Sequence, residues 1–122
     1  MDFKGIIAIV KSVILKNYVN FEGRATRAEF WWFFLFCFVI GIIFSLLGKV
    51  GSILSAIWSI GILLPQLALG ARRLHDINKS GWLLLLALIP LIGEIILIIW
   101  WVKEGDAGEN QFGPVPADIK PE

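Results

Sequence analysis

The sequence predicts an all-α membrane protein with three transmembrane helices, an N-terminal amphipathic interfacial helix and a turn-rich acidic C-terminal tail. Length is the first observation behind this. Residues 30–48, 50–71 and 81–102 each match a bilayer span, since a helix needs roughly 20 apolar residues to cross ~30 Å of hydrocarbon. Charge is the second: across all three stretches Glu94 is the one charged side chain. Composition is the third. The chain is 57% hydrophobic and 17% charged, against about 25% charged in soluble domains. A polypeptide of 122 residues has too little polar surface to wrap three such rods.

Residues 1–21 read as the interfacial helix. Phe3, Ile6, Ile7, Val10, Val13 and Ile14 recur at helical spacing, with Lys4 and Lys11 opposite. Such a helix lies in the headgroup plane or packs on the cytoplasmic end of a bundle. Residues 22–102 form the predicted three-helix bundle. Thr26 and Glu29 make a capping box that starts the first span near Arg27, and the Phe30–Phe34 aromatic run marks a membrane interface. Trp82 and the Trp100–Trp101 pair repeat that mark at the two ends of the third span.

Lys49 lies in a short turn, so the first two spans should be an antiparallel hairpin. Gly41 and Ser45 on one, with Gly51, Ser55 and Ser59 on the other, form small-residue stripes of the kind that let helices approach closely in lipid. Pro65 and Pro90 each remove a backbone donor and should kink their helices. Gln66 is placed to satisfy a carbonyl freed by Pro65. Residues 103–122 combine Glu104, Asp106, Glu109, Asp118 and Glu122 with many Gly and Pro, giving a solvated tail.

Net charge is +1, so no basic field points to nucleic acid. Cys37 is the single cysteine and excludes an intrachain disulfide. Lys4, Lys11, Lys16, Arg24 and Arg27 precede the first span, while the first loop holds only Lys49. Arg72, Arg73 and Lys79 fill the second loop. By the positive-inside rule the N-terminus and second loop face the cytoplasm, and the first loop and C-terminal tail lie outside.

Four motifs occur in order: Gly23-Arg24-Ala25-Thr26-Arg27-Ala28-Glu29-Phe30-Trp31-Trp32-Phe33, Arg72-Arg73-Leu74-His75-Asp76, Ser80-Gly81-Trp82 and Asn110-Gln111-Phe112-Gly113-Pro114. From about Tyr18 to Pro116 the chain resembles a family of small bacterial inner-membrane proteins known as domain of unknown function number eight hundred and five. The resemblance implies a several-helix protein of the bacterial cytoplasmic membrane and implies no activity. Glu94 lies outside the shared pattern.

The candidate sites follow from chemistry. Arg24, Arg27, Arg72 and Arg73 lie at helix ends expected to share one face. With His75 and Asp76 beside them they could grip an anionic lipid headgroup or a membrane partner. Arg27 with Asp76, or Arg72 with Glu29, would instead tie loops together. His75-Asp76 admits catalysis, or a loop lock in which Asp76 accepts from the Asn78-Lys79-Ser80 turn. Glu94 within a span is costly in lipid, so it either works in proton or ion movement or bonds Gln66, Ser55 or Ser59. Asn110, Phe112, Gly113 and Pro114 suggest a docking anchor for the tail. The resulting expectation is a non-enzymatic binding or scaffolding protein of the inner membrane, with no cofactor or metal. Its partners would be anionic lipids, a membrane protein or a second copy. The alternatives are a small transporter or channel subunit using Glu94, and a membrane-embedded enzyme using His75 and Asp76.

Overall fold

The computed structural model describes residues 3–117. Asp118, Lys120, Pro121 and Glu122 of the tail lie outside the described residues. The fold is helical, with no strand among the described residues: α1 (Phe3–Lys11), α2 (Arg27–Ser45), α3 (Gly48–Asp76), a 3-10 segment (Gly81–Leu88) and α4 (Ile92–Val102). α1 runs on into one wider turn over Ser12–Lys16. Of these, α2 and α3 are long and apolar enough to cross a membrane, and α4 is a shorter apolar helix.

α2 starts where its cap dictates. Thr26 is the N-cap, and its Oγ accepts from the Glu29 amide at 3.0 Å. The Glu29 carboxylate leaves the capping box and crosses to Arg72 instead. α2 and α3 pack as an antiparallel hairpin, turning at Leu46–Leu47. Gly51 is required at that turn, because a Cβ there would sit 1.7 Å from the Phe44 carbonyl oxygen. The other small residues do not interlock. A Cβ on Gly41 would meet nothing within 4 Å. Gly41, Ser45, Gly51, Ser55 and Ser59 instead line an open groove between the two helices.

Pro65 lies buried within α3 and has no N–H to offer the carbonyl four residues earlier, that of Gly61. Tyr18 answers this, its hydroxyl donating to Gly61 O at 2.6 Å. Gln66, expected in that role, is exposed at a gap between α3 and the 81–102 hairpin and makes no hydrogen bond among the described residues. The same N-terminal segment buries Ile9 and Val13 in the core, with Ala25, Phe30, Phe33 and Leu69. Thus α1 packs on the bundle.

The largest departure from expectation concerns residues 81–102, which are not one helix. Pro90 cannot donate, and Leu91 adopts φ 67° with ψ −59°. The Ile92 amide then bonds Pro90 O at 2.8 Å, a γ-turn that reverses the chain. Gly93 permits the closure, since a Cβ there would lie 1.6 Å from Leu86 O. The 3-10 segment and α4 therefore run out and back as a hairpin. Gly70 marks its register: a Cβ on it would lie 3.1 Å from Leu84 Cδ2 and 3.5 Å from the Trp101 ring, so both arms pass the same level of α3. From their rises per residue each arm spans ~16 Å.

This reversal carries the tail back to the end of the bundle where α2 begins and α3 stops. There Asp106 N bonds Asp76 O at 2.8 Å. The tail is thus packed against the end of the bundle that carries Arg24 and Arg72, whereas the sequence pattern assigned it to the far end. Trp82, Trp100 and Trp101 likewise mark one end of the molecule instead of two.

Candidate functional site

The end of the bundle where α2, α3, α4 and the tail converge holds most of the charged side chains singled out above. α3 finishes with Arg72, Arg73, His75 and Asp76, all buried. A helix C-terminus leaves orphan carbonyls and a partial negative charge, which guanidinium donors complement. Arg73, with no exposed surface, donates from Nε to Trp101 O at 3.1 Å and from Nη2 to Lys103 O, thereby capping α4. Its Nη1 bonds Asp76 Oδ2 at 2.7 Å. Arg24 reaches the other carboxylate oxygen, Nε to Oδ1 at 2.9 Å. Asp76 thus pairs with two arginines at once.

Arg24 also holds the tail. It donates from Nη1 to Gly108 O at 2.8 Å and Gly113 O at 3.2 Å, and from Nη2 to Asp106 O at 2.7 Å. Gly105 passes so near Asp76 that a Cβ would lie 1.9 Å from Oδ2, so this crossing requires glycine. Arg72 pairs with Glu29, Nη1 to Oε1 at 3.0 Å. Its Nε and Nη2 are buried with no hydrogen-bond partner among the described residues.

The tail anchor folds on itself before it docks. Asn110 and Gly113 exchange backbone bonds of 3.0 and 3.1 Å, and Asn110 Oδ1 accepts from the Phe112 amide at 2.9 Å. Gly113 has φ 124°, a conformation that side chains disfavour. Asn110 Nδ2 then donates to His75 O at 2.9 Å, and Phe112 stacks on the His75 ring at 3.9 Å. Pro114 follows the turn, exposed.

Three of the four arginines expected to form an exposed headgroup grip are therefore turned inward. A buried guanidinium needs an acceptor for every donor it can place, and here helix ends, carboxylates and tail carbonyls supply most of them. Only Arg27 stays exposed, with one long bond to Val102 O. Of the two loop ties considered, Arg72–Glu29 is present, whereas Asp76 is taken by Arg24 and Arg73 instead of Arg27. Nor does Asp76 accept from the Asn78-Lys79-Ser80 turn. Asn78 N and Lys79 N bond His75 O and Leu74 O. His75 and Asp76 face different partners: His75 Nδ1 bonds Gly23 O at 2.8 Å, while the Asp76 carboxylate faces guanidiniums. Glu94 is exposed on the first turn of α4 and is not bonded to Gln66, Ser55 or Ser59.

Beside His75 opens a cleft of about 620 Å³ between α3 and the 3-10 segment. Leu67, Ala71, Leu84 and Leu85 line its walls, and Phe21 and Phe112 border it from the N-terminal segment and the tail. Polar groups on its lining include the His75 imidazole, the Trp82 indole and Ser80, whose Oγ accepts from the Trp82 amide at 3.2 Å. Sequence reasoning found His75 and Phe112, and Gly81 within the Ser80-Gly81-Trp82 motif, but missed Tyr18 and Phe21. For Tyr18 a signal existed, because Pro65 predicts an orphan carbonyl at Gly61.

Comparison with known proteins adds kinship. The family described as "Protein of unknown function (DUF805)" matches residues 18–114. Inner membrane protein YhaH of Escherichia coli (strain K12) is 47% identical over 111 residues, covering 84% of this chain and 92% of that protein. Inner membrane protein YhaI of the same strain is 41% identical over 107 residues, covering 84% and 91%. No solved structure matches the chain.

Proposed function

The chain belongs to the family described as "Protein of unknown function (DUF805)", and we propose that it is a polytopic inner-membrane binding protein without catalytic chemistry. In this reading α2 and α3 cross the bilayer, and the hairpin over 81–102 enters from the cytoplasmic side and returns. Its ~16 Å arms reach about halfway through a ~30 Å core. Non-helical backbone at that depth needs internal partners, and around the turn Ile89 N, Ile92 N and Gly93 N donate to Leu86 O, Pro90 O and Ile89 O. Both termini are then cytoplasmic. The positive-inside pattern supports this arrangement better than the expected three-span one, because Arg24, Arg72, Arg73, Lys79 and Lys103 gather at one end and Lys49 stands at the other.

The observation that carries the binding role is the cleft beside His75. Arg24, fixed by Asp76, holds the tail in place as one wall of the cleft. Asp76 is committed to two guanidiniums and diverges from His75, which supports binding over catalysis. Anionic lipid contact passes to the rim, where Arg27 and Lys103 are exposed and Lys79 sits over the Trp100 ring at 4.8 Å.

Purification in native-membrane nanodiscs with mass identification of bound molecules tests this role. Wild type should retain a stoichiometric small molecule that Leu67→Trp, filling the cleft from its exposed lip, loses. Equal contents in both proteins would reject the cleft as the binding site. A second reading rests on Glu94, exposed at the start of α4 with no side-chain hydrogen bond among the described residues. There a second copy would cover the carboxyl, and an oligomer could line a conducting path.

A further inference from the structure

The cleft carries a more specific chemistry, which rests on the binding role proposed above. A carbonyl can only accept, so the 2.8 Å bond from His75 Nδ1 to Gly23 O puts a hydrogen on Nδ1. In the neutral ring Nε2 is then a bare acceptor, and it has no hydrogen-bond partner among the described residues. His75 is only 7% exposed. Nε2 lies next to Gly81, where a Cβ would approach it to 3.3 Å, and Gly81 lines the cleft. Phe112, stacked 5° from parallel, and the Gly23 bond fix the ring so that this atom keeps its aim. Ser80 Oγ accepts from Trp82 N, which leaves its own hydrogen free to donate.

We propose that the cleft binds a single-chain amphiphile with a neutral hydroxyl head, the hydroxyl donating to His75 Nε2 and accepting from Ser80 while the chain lies along Leu67, Leu84 and Leu85. Three observations select this class. No Lys or Arg lines the cleft, so an anionic head would find no counter-charge. An ether or ester head would leave Nε2 unpaired in an apolar site, which is what such sites reject. The volume suits a drug-sized ligand, one chain and not two. Leu67, Trp82 and Leu85 are exposed on the outer lip, so the chain enters from the acyl phase.

The test uses the full chain in phosphatidylcholine nanodiscs and a long-chain alkanol carrying a diazirine in its chain. Its methyl ether and its phosphate ester serve as comparison probes. The alkanol should label residues 67, 84 and 85 saturably, about tenfold more than the ether, as loss of one buried hydrogen bond implies. His75→Phe keeps a ring against Phe112 and should reduce the alkanol to the ether's level. Leu85→Trp, at an exposed position that leaves folding intact, should abolish labelling by all three probes. Equal labelling by alkanol and ether, or stronger labelling by the phosphate, overturns the hydroxyl head and leaves the binding role standing. Absence of saturable labelling in the cleft by any probe overturns both.

Discussion

At the residue scale, Asp76 does the most with one side chain. It pairs with both Arg24 and Arg73, and through its backbone oxygen it receives the tail at Asp106. Isolated buried charges are costly, and removing one member of a buried set leaves the rest uncompensated at about 3–5 kcal/mol. Asp76→Asn should therefore lower stability by about that amount and release the tail. Denaturant titration in micelles gives the first quantity, and limited proteolysis near Gly105–Gly108 reads the second. A variant as stable and protease-resistant as wild type would mean that the carboxylate is not what holds the tail. Tyr18 illustrates the same logic for a neutral group. In lipid an orphan carbonyl has no water to turn to, so the defect made by Pro65 is repaired by a hydroxyl from another segment.

At the element scale, the hairpin over 81–102 is decided by three residues. Pro90 withholds a donor, Leu91 takes a left-handed φ, and Gly93 allows the return. A γ-turn on a leucine stores strain of order 1–3 kcal/mol, and glycine adopts such angles at an entropic cost of about 0.5–1 kcal/mol. Leu91→Gly should consequently stabilise the protein by about 1 kcal/mol, with the tail still docked. Denaturant midpoints compared with wild type check this, and a loss of stability of that size would contradict the reversal at this residue. The 3-10 arm follows from its neighbour: Gly81 lets it approach Ala71, where a Cβ would be 2.9 Å away.

At the scale of the whole molecule, the reversal changes which groups share a side. Arg24, Arg73, Trp101 and the Asn110–Gly113 turn meet at one end, so the tail belongs with the N-terminal segment. Cysteine labelling checks the proposed sidedness in a Cys37→Ser background. Lys49→Cys should react with an impermeant maleimide in intact cells. Gly108→Cys, at a position where a side chain meets nothing, should react only after permeabilisation. Reaction of both in intact cells would restore the three-span topology.

What the sequence determined by itself is what depends on local composition and spacing. It determined a helical chain of long apolar segments, the α2 cap at Thr26 and a tail turn at Asn110–Gly113, and it offered the Arg72–Glu29 tie as one of two alternatives. Its motifs also carried the family resemblance, which the similarity to inner membrane proteins YhaH and YhaI bears out. Each of these rests on residues near in sequence or on charges with few possible partners. The tertiary structure alone decided the rest. Hydropathy cannot tell a 22-residue span from two half-length arms, because both are equally apolar and the difference lies in one backbone angle. Nor can it tell whether an arginine at a helix end faces lipid headgroups or the carbonyls of another helix. That choice was made when the hairpin brought the end of α4 and the tail within reach of Arg24 and Arg73, where their donors find fixed acceptors in place of water.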